Sequence, residues 1–309
     1  IMPSLVGSEM CIRDRSEIVA ISKDGATLKD GEVISKNGLV KNFKVLKSEK
    51  FLGEYDGNFV VTDINGTLKV VGSTGAVKFE KALGRQALSA NIRGDDLALV
   101  MSDDSIMLIK LSSGAVVLDH KVGDAFAIDS RVASPLFINQ LIAYPALDGL
   151  VSIAENVGGR SARDFVVSNQ PFFNNIIALE NKGDNLYAVT ATRLMLVSPA
   201  GNKNHNVDIK DVIFSGDRIY LFLKDGRVEL LDRGLNLIKS RKFTFAQFSG
   251  ALLSGGYLYI IERNGYVIRV DENLEGQAIY ELNGEFEDKS FIAGSSFYYD
   301  DKILNFDAR

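Results

Sequence analysis

Short turns containing glycine or aspartate recur along the chain between runs of alternating apolar residues, and this repeat constrains the fold most. The clearest copies are VTDINGTLKVV around Asn65-Gly66, LKDGRVELL around Asp225-Gly226 and ERNGYVIRV around Asn264-Gly265. Asn-Gly and Asp-Gly accept the positive φ angles of tight hairpin turns, and the flanking branched and aromatic residues favour strands. The remaining copies are centred on residues 105, 149, 192 and 301.

The spacing of these turns is typical of β-propeller blades. Successive turn centres are about 39 residues apart on average, which is the period of a four-stranded blade. A second turn glycine follows each of the first four copies after nine residues, at Gly75, Gly114, Gly158 and Gly201. One small sheet leaves two apolar faces uncovered, so such sheets pack face to face in a closed ring. The sequence therefore predicts an all-β fold, a single β-propeller of four-stranded blades.

Seven copies predict seven blades, with eight as the alternative if the hairpin around Asp24-Gly25 begins a blade of its own. The last repeat ends after its third strand, in KILNFDAR, so an N-terminal strand must supply the fourth and close the ring. EIVAIS and EVIS both qualify. We therefore predict one domain over residues 16–309, with a closing segment at 16–42 and blades over 43–309.

The beginning of the chain has an unusual sequence. Residues 5–15, LVGSEMCIRDR, resemble the translation of a transposon-type sequencing adapter. We predict that residues 1–15 are a non-native segment outside the ring, and that the native N-terminus is missing together with any signal peptide or lipid-anchor cysteine. The single cysteine, Cys11, lies in this segment, which leaves the native chain without a thiol for catalysis or metal binding.

Few residues in the sequence are suited to catalysis. The two histidines, His120 and His205, fall beside a strand and in a turn, and the aspartate pairs such as Asp103-Asp104 fall in turns that favour aspartate structurally. No nucleophile elbow and no glycine-rich loop opening a helix is found. We predict no catalytic residue, no metal ligand and no cofactor, and hence no enzyme.

Charge and hydropathy restrict the partners. The net charge of −5 and the lack of a long basic face argue against nucleic-acid binding. No run of 18 apolar residues is present, so no transmembrane segment is predicted. We expect a monomer that binds a protein partner.

A propeller without catalytic residues commonly presents exposed apolar side chains between its blades. Phe172 and Phe173, in SNQPFFNN, precede an inner strand, where core packing and partner contact are both open. In KFTFAQF, the alternation of Phe243 and Phe245 favours the buried face of a strand.

The repeat of turn glycine, strand, second glycine and strand resembles that of the PQQ-type eight-bladed propellers, and among them the BamB family of outer-membrane assembly lipoproteins. The resemblance covers about residues 43–309. That family's repeat often ends in a Gly-x-x-x-Trp strand, whereas this chain has no tryptophan and places Phe79, Leu118 and Ile238 there. An aspartate pair of the family, expected near residues 173–175, is also absent.

The segment FAIDSRVASP is similar to the Ala-Leu-x-Leu-Arg segment with which BamB proteins contact their barrel-forming partner. Ile128 matches the first leucine and Arg131 the arginine, whereas Ser130 replaces the second leucine. The resemblance implies that Ile128 and Arg131 bind a protein partner, possible partners being components of the β-barrel assembly machinery. Phe172 and Phe173 are added to this site as candidates.

The resemblance implies a non-catalytic scaffold that supports assembly of outer-membrane β-barrel proteins, in the periplasm and anchored by a lipid on the missing N-terminus. The alternative is a cytoplasmic WD-type interaction scaffold, although the Gly-His and Trp-Asp pairs of that repeat are lacking. A quinoprotein-type enzyme is less well supported, because it would need a tryptophan floor and a calcium-binding set.

Overall fold

The computed structural model describes residues 11–125, 128–282, 286 and 289–306, and it is a β-propeller of eight antiparallel four-stranded sheets. Seven sheets are continuous in the chain. The eighth combines the first strand, β1 (Cys11–Asp14), with the last three. The prediction of an all-β propeller with four-stranded blades is confirmed.

Blades 1 to 4 follow one another along the chain. Blade 1 consists of β2 (Ile18–Ile21), β3 (Gly25–Leu28), β4 (Glu32–Ser35) and β5 (Gly38–Lys44). Blade 2 consists of β6 (Glu49–Tyr55), β7 (Asn58–Asp63), β8 (Thr67–Gly72) and β9 (Val77–Ala82). Blade 3 consists of β10 (Ala87–Arg93), β11 (Asp96–Met101), β12 (Ser105–Lys110) and β13 (Val116–Lys121). Blade 4 consists of β14 (Leu136–Ile138), β15 (Leu141–Pro145), β16 (Leu150–Glu155) and β17 (Ser161–Val166).

Blades 5 to 8 complete the ring. Blade 5 consists of β18 (Ala178–Lys182), β19 (Asn185–Thr190), β20 (Arg193–Val197) and β21 (Lys203–Asn206). Blade 6 consists of β22 (Ile209–Ser215), β23 (Arg218–Leu223), β24 (Arg227–Asp232) and β25 (Leu237–Lys242). Blade 7 consists of β26 (Phe248–Ser254), β27 (Tyr257–Glu262), β28 (Tyr266–Asp271) and β29 (Ala278–Glu281). Blade 8 consists of β30 (Ser290–Ala293), β31 (Ser296–Tyr299), β32 (Lys302–Asn305) and β1.

The prediction of seven blades is wrong, and the alternative of eight is the one observed. Residues 18–44, within and just beyond the expected closing segment, form the complete blade 1. Its turn between the second and third strands is Asp30-Gly31, where Gly31 has a φ of 85°. The segment LKDGEV at this turn repeats the LKDGRV of blade 6, so the missed copy carried the same turn signal.

The strand that closes the ring also differs from expectation. β1 pairs with β32 in antiparallel register, with Cys11 opposite Asn305 and Asp14 opposite Lys302. EIVAIS instead supplies the inner strand of blade 1, and EVIS its third strand. The expectation that residues 1–15 lie outside the ring is therefore wrong for residues 11–14, whereas residues 1–10 lie outside the described residues. The adapter origin of this segment stays a prediction. An outer edge strand is held chiefly by main-chain hydrogen bonds, which many sequences can form.

Neighbouring blades pack face to face through apolar side chains. Between blades 2 and 3, Leu52 and Val60 share one buried cluster with Leu97 and Leu99. Between blades 8 and 1, an equivalent cluster contains Tyr298 of blade 8 and Ala26 of blade 1. The core is thus divided among the interfaces, and burial of these interfaces drives ring formation.

Buried tyrosines link consecutive blades in this tryptophan-free ring. Tyr187 of blade 5 donates a hydrogen bond to the carbonyl oxygen of Arg233 in blade 6, at 2.7 Å. Tyr220 of blade 6 makes the same type of bond to Glu272 in blade 7, at 2.9 Å. Each ring fills an interface while its hydroxyl satisfies a turn carbonyl.

The strand directions define one side of the ring. In a four-stranded meander, the connection into each inner strand and the turn between the second and third strands lie on the same side. We call this side the upper face. It carries residues 122–125 and 128–135, 167–177 and 243–247, on which the candidate residues lie.

Candidate partner-binding surface

The side chain of Asn175 brings two of the predicted segments together on the upper face. It is fully buried. Its Oδ1 accepts a hydrogen bond from the backbone N–H of Asp129 at 2.6 Å, and its Nδ2 donates to the carbonyl oxygen of Arg131 at 2.9 Å. The segment that contains Ile128 and Arg131 is therefore held beside Phe172 and Phe173, only a few residues before Asn175.

Arg131 lies in an ion pair within this surface. Its Nε donates to Asp129 Oδ1 at 2.8 Å, a second nitrogen contacts Asp129 Oδ2, and a third donates to the carbonyl oxygen of Lys210 in blade 6. Burial alone would raise the pKa of Asp129, but the hydrogen bonds and charge of Arg131 outweigh it and leave that pKa below its ordinary value. With 29% of its side chain exposed, Arg131 both supports the structure and reaches solvent.

Ile128 is less accessible than a typical partner-binding residue. It is half-buried and packs against a cluster formed by Val100, Val132 and Leu147. Ile128, the apolar residue in the match to the BamB segment, therefore packs mainly against the core and only partly reaches the surface.

Phe172 and Phe173 lie at the surface, with 59% and 57% of each residue exposed. Phe173 has a φ of 53°, a left-handed conformation that is uncommon for a bulky residue. The next residue, Asn174, anchors the segment by donating from Nδ2 to the carbonyl oxygens of Asp148 and Ser168. The two rings are thus held in solvent by a structured connection.

Sequence reasoning misplaced one further aromatic residue. Phe243 is buried as expected, but Phe245 is 92% exposed and has a φ of 67°. The chain turns at Thr244-Phe245 before β26, so the strand alternation does not extend through this segment. A strand boundary cannot be located from alternation alone.

In the part of the chain that the structure describes, the acidic turn residues do not form a metal-binding cluster. Among the described residues, no group of three or more Asp, Glu, His or Cys side chains is placed to hold a metal ion. His205 instead contacts Glu229 at 2.7 Å across β21 and β24, and His120 lies exposed on β13.

We expect calcium and PQQ to leave the Tm unchanged to within about 1 °C, because a ligand that binds only the folded state must stabilise it. Differential scanning calorimetry of the full chain, with and without millimolar calcium or PQQ, measures this. A rise of several degrees with either ligand would contradict the expectation.

The described residues include no helix long and apolar enough to cross a membrane. No protein-family model matches the chain, so the PQQ-type repeat stays a prediction.

Two curated relatives are similar to the chain in sequence. The plasminogen-binding protein PgbB of Helicobacter pylori J99 is 29% identical over 304 residues, which cover 84% of this chain and 56% of that protein. PgbB of Helicobacter pylori 26695 is 28% identical with the same coverage. The chain therefore spans just over half the length of these relatives.

Several solved propellers share the fold at low sequence identity. BamB from Moraxella catarrhalis superposes with a TM-score of 0.74 at 15% identity, covering 96% of this chain and 98% of BamB. The designed protein Ika8 gives 0.69 at 14% identity, covering 94% of this chain and 96% of Ika8. The C-terminal WD40 domain of Sif2 gives 0.69 at 12% identity, covering 96% of this chain and 98% of that domain. These likenesses show the architecture alone.

Proposed function

We propose that the chain is a non-catalytic scaffold that binds a protein partner on the upper face of its propeller. The observation that carries the proposal is the exposed pair Phe172 and Phe173, which a structured connection holds in solvent beside the Arg131–Asp129 ion pair. Aromatic side chains and arginine are the residues that most often dominate binding energy at protein interfaces. A strained, exposed Phe173 has no evident role in packing the ring.

The finer form of the proposal is a BamB-like role in the assembly of outer-membrane β-barrel proteins. It is supported by the match of FAIDSRVASP to the partner-contacting segment and by the shared propeller fold. In this form Arg131 contacts the partner, while Ile128 supplies the limited apolar edge that remains accessible.

Plasminogen is a second candidate partner, because PgbB is named for binding it and is similar over most of this chain. Plasminogen binding by this chain also requires an exposed protein-binding surface. The two candidates therefore share the site and differ in the protein that occupies it.

We propose that the protein belongs to the bacterial cell envelope. In the BamB-like form it is periplasmic and anchored to the outer membrane by a lipid on a native N-terminus, whereas a WD-type scaffold would be cytoplasmic. Sequencing the 5′ end of the intact gene and fractionating the tagged product distinguish these locations. A lipid-modified cysteine after a signal peptide supports the first, and a soluble cytoplasmic product would contradict it.

The double substitution Phe172→Ser with Phe173→Asn is expected to weaken partner binding at least about tenfold, since truncating a central aromatic residue commonly costs about 2 kcal/mol. Asparagine suits position 173 because it tolerates a positive φ. Binding is measured by surface plasmon resonance, with the purified barrel assembly protein of the same organism and with plasminogen as separate analytes.

The matched control replaces another exposed apolar pair, Val157→Ser with Val77→Ser, at a turn and an outer strand away from this surface. It should bind as the unmodified chain does, and circular dichroism should show all three proteins equally folded. Equal binding by the phenylalanine variant, or no binding of either analyte by the unmodified chain, would contradict the proposal.

A further inference from the structure

A cavity of about 490 Å³ opens on the upper face where blades 6, 7 and 8 meet. The inner strands and second-to-third-strand turns of these blades contribute to its lining, and the apolar lining residues Leu223, Phe248 and Phe286 are buried. This volume is in the usual range for a site that accepts a small ligand or a few side chains.

Positive charge dominates the walls of the cavity. Four cations line it, namely Lys210, Lys224, Arg263 and Lys289, and Asp300 is the one carboxylate among the described lining residues. None of these four cations forms an ion pair with another residue in the described part of the chain. Such a grouping is unexpected in a chain whose net charge is −5.

The local environment makes the crowding of cations costly. The pKa of Lys210 is lowered, and burial makes the largest contribution. The positive charges of Arg131 and Lys224 also lower this pKa, whereas the negative charges of Asp129 and Asp211 raise it. An anion in the cavity would relieve this repulsion and favour the charged form of Lys210.

We propose that this cavity binds carboxylate side chains from an acidic peptide segment of the partner protein. Carboxylates suit Arg263, whose guanidinium can bind them through two hydrogen bonds, and the lysines add charge around it. The apolar lining residues suit the methylene groups of glutamate. The inference deepens the proposed protein-binding function and rests on it.

A peptide fits better than a free phosphate. Phosphate sites commonly use helix N-termini or glycine-rich loops that point several backbone N–H groups at the ligand. The described residues contain no helix, and four of the residues that line the cavity have cationic side chains. Long cationic side chains beside apolar lining residues suit an extended acidic segment.

The test uses the full chain and hexaglutamate labelled with an uncharged fluorophore, followed by fluorescence anisotropy at low salt. We expect saturable binding that weakens with added sodium chloride, because exposed charges are screened at high ionic strength. Hexaglutamine with the same label should not bind. The double variant Lys224→Glu with Arg263→Glu should weaken hexaglutamate binding at least about tenfold.

Lys41→Glu with Arg160→Glu is the matched control, since it makes the same change in net charge at exposed cations on β5 and on the turn before β17. It should bind hexaglutamate within about twofold of the unmodified chain, because distant exposed charges act only weakly. The neutral variant Lys224→Gln with Arg263→Gln repeats the test if the charge reversal impairs folding.

Three results would overturn the inference: no binding of hexaglutamate, equal loss in the control variant, or binding of inorganic phosphate in preference to the peptide. None of them depends on Phe172 or Phe173. The proposed function would stand if those phenylalanines still proved necessary for binding the partner, and it would fail separately if they did not.

Discussion

Changing Asn305 to cysteine is expected to close the ring covalently through Cys11 and to raise the Tm by roughly 5–10 °C. The two residues lie directly opposite each other in β1 and β32. Opposed residues of antiparallel strands have Cα atoms about 4.5–5.5 Å apart, which suits a disulfide. The bond would close a loop that includes nearly the whole chain, and loops of about 100 residues already correspond to about 4.7 kcal/mol in the chain-entropy estimate.

The measurement compares the oxidised and reduced forms of the same variant by calorimetry. This comparison cancels the loss of the hydrogen bond from Ser296 to Asn305, which the substitution itself removes. Lys302→Cys is the control, because Lys302 lies opposite Asp14, three residues from Cys11 and roughly 10 Å along the strand. It should form no intramolecular disulfide. Equal cross-linking of both variants, or of neither, would show that β1 does not close the ring in this register.

Replacing Asp104 by asparagine is expected to raise the Tm by roughly 3–6 °C near pH 8 and to leave it unchanged near about pH 4. Asp104 is 1% exposed, and its Oδ1 accepts the backbone N–H of Leu147 at 2.6 Å. Its Oδ2 is buried and has no hydrogen-bond partner among the described residues. A Cβ added at Gly123 would contact both this oxygen and the carboxylate of Asp148, so both carboxylates approach the same glycine.

The direction of the effect follows from the pKa of Asp104. Burial, with smaller contributions from the negative charges of Asp148, Asp103 and Asp124, raises this pKa from 3.8 to about 7, although the Leu147 N–H opposes the change. The folded state therefore keeps a proton that the unfolded state releases above about pH 4, and the resulting loss of stability is complete above about pH 7. It amounts to about 2–4 kcal/mol, allowing for relaxation of the site.

Asparagine removes this penalty because it stays neutral at every pH and can accept the same N–H bond. It also tolerates the φ of 64° at this position. Asp103→Asn is the control. Asp103 forms an ion pair with Arg85, and although burial alone would raise its pKa, Arg85 and Ser105 leave it lowered. Its substitution should slightly reduce the Tm near pH 8. A lower Tm for Asp104→Asn at that pH would show that the carboxylate is charged and satisfied in the folded protein.

Part of the candidate surface could be predicted from the sequence. Phe172 and Phe173 lie after Pro171 and before two asparagines, a position that predicts the entry to an inner strand and leaves core packing and partner contact both open. Whether they pack inward or outward depends on Asn174 and Asn175, whose bonds to blade 4 and to Asp129–Arg131 join residues more than 20 positions apart. No local pattern encodes such contacts. The cationic cavity was missed for the same reason, since its four cations are separated along 80 residues of sequence.

The sequence by itself determined the blade and its repetition, because hairpin turns and strand alternation act over a few residues and are written locally. The number of blades was also encoded in the Asp30-Gly31 turn. The need for a strand to close the ring, however, led to the prediction that residues 16–42 form a closing segment and not a blade. Tertiary structure decided which strand closes the ring, since the unpaired edge of β32 accepts any strand that reaches it in register. It likewise decided that Asp104 is buried beside another carboxylate and that Phe245 turns outward, because both depend on backbone geometry imposed by neighbouring blades.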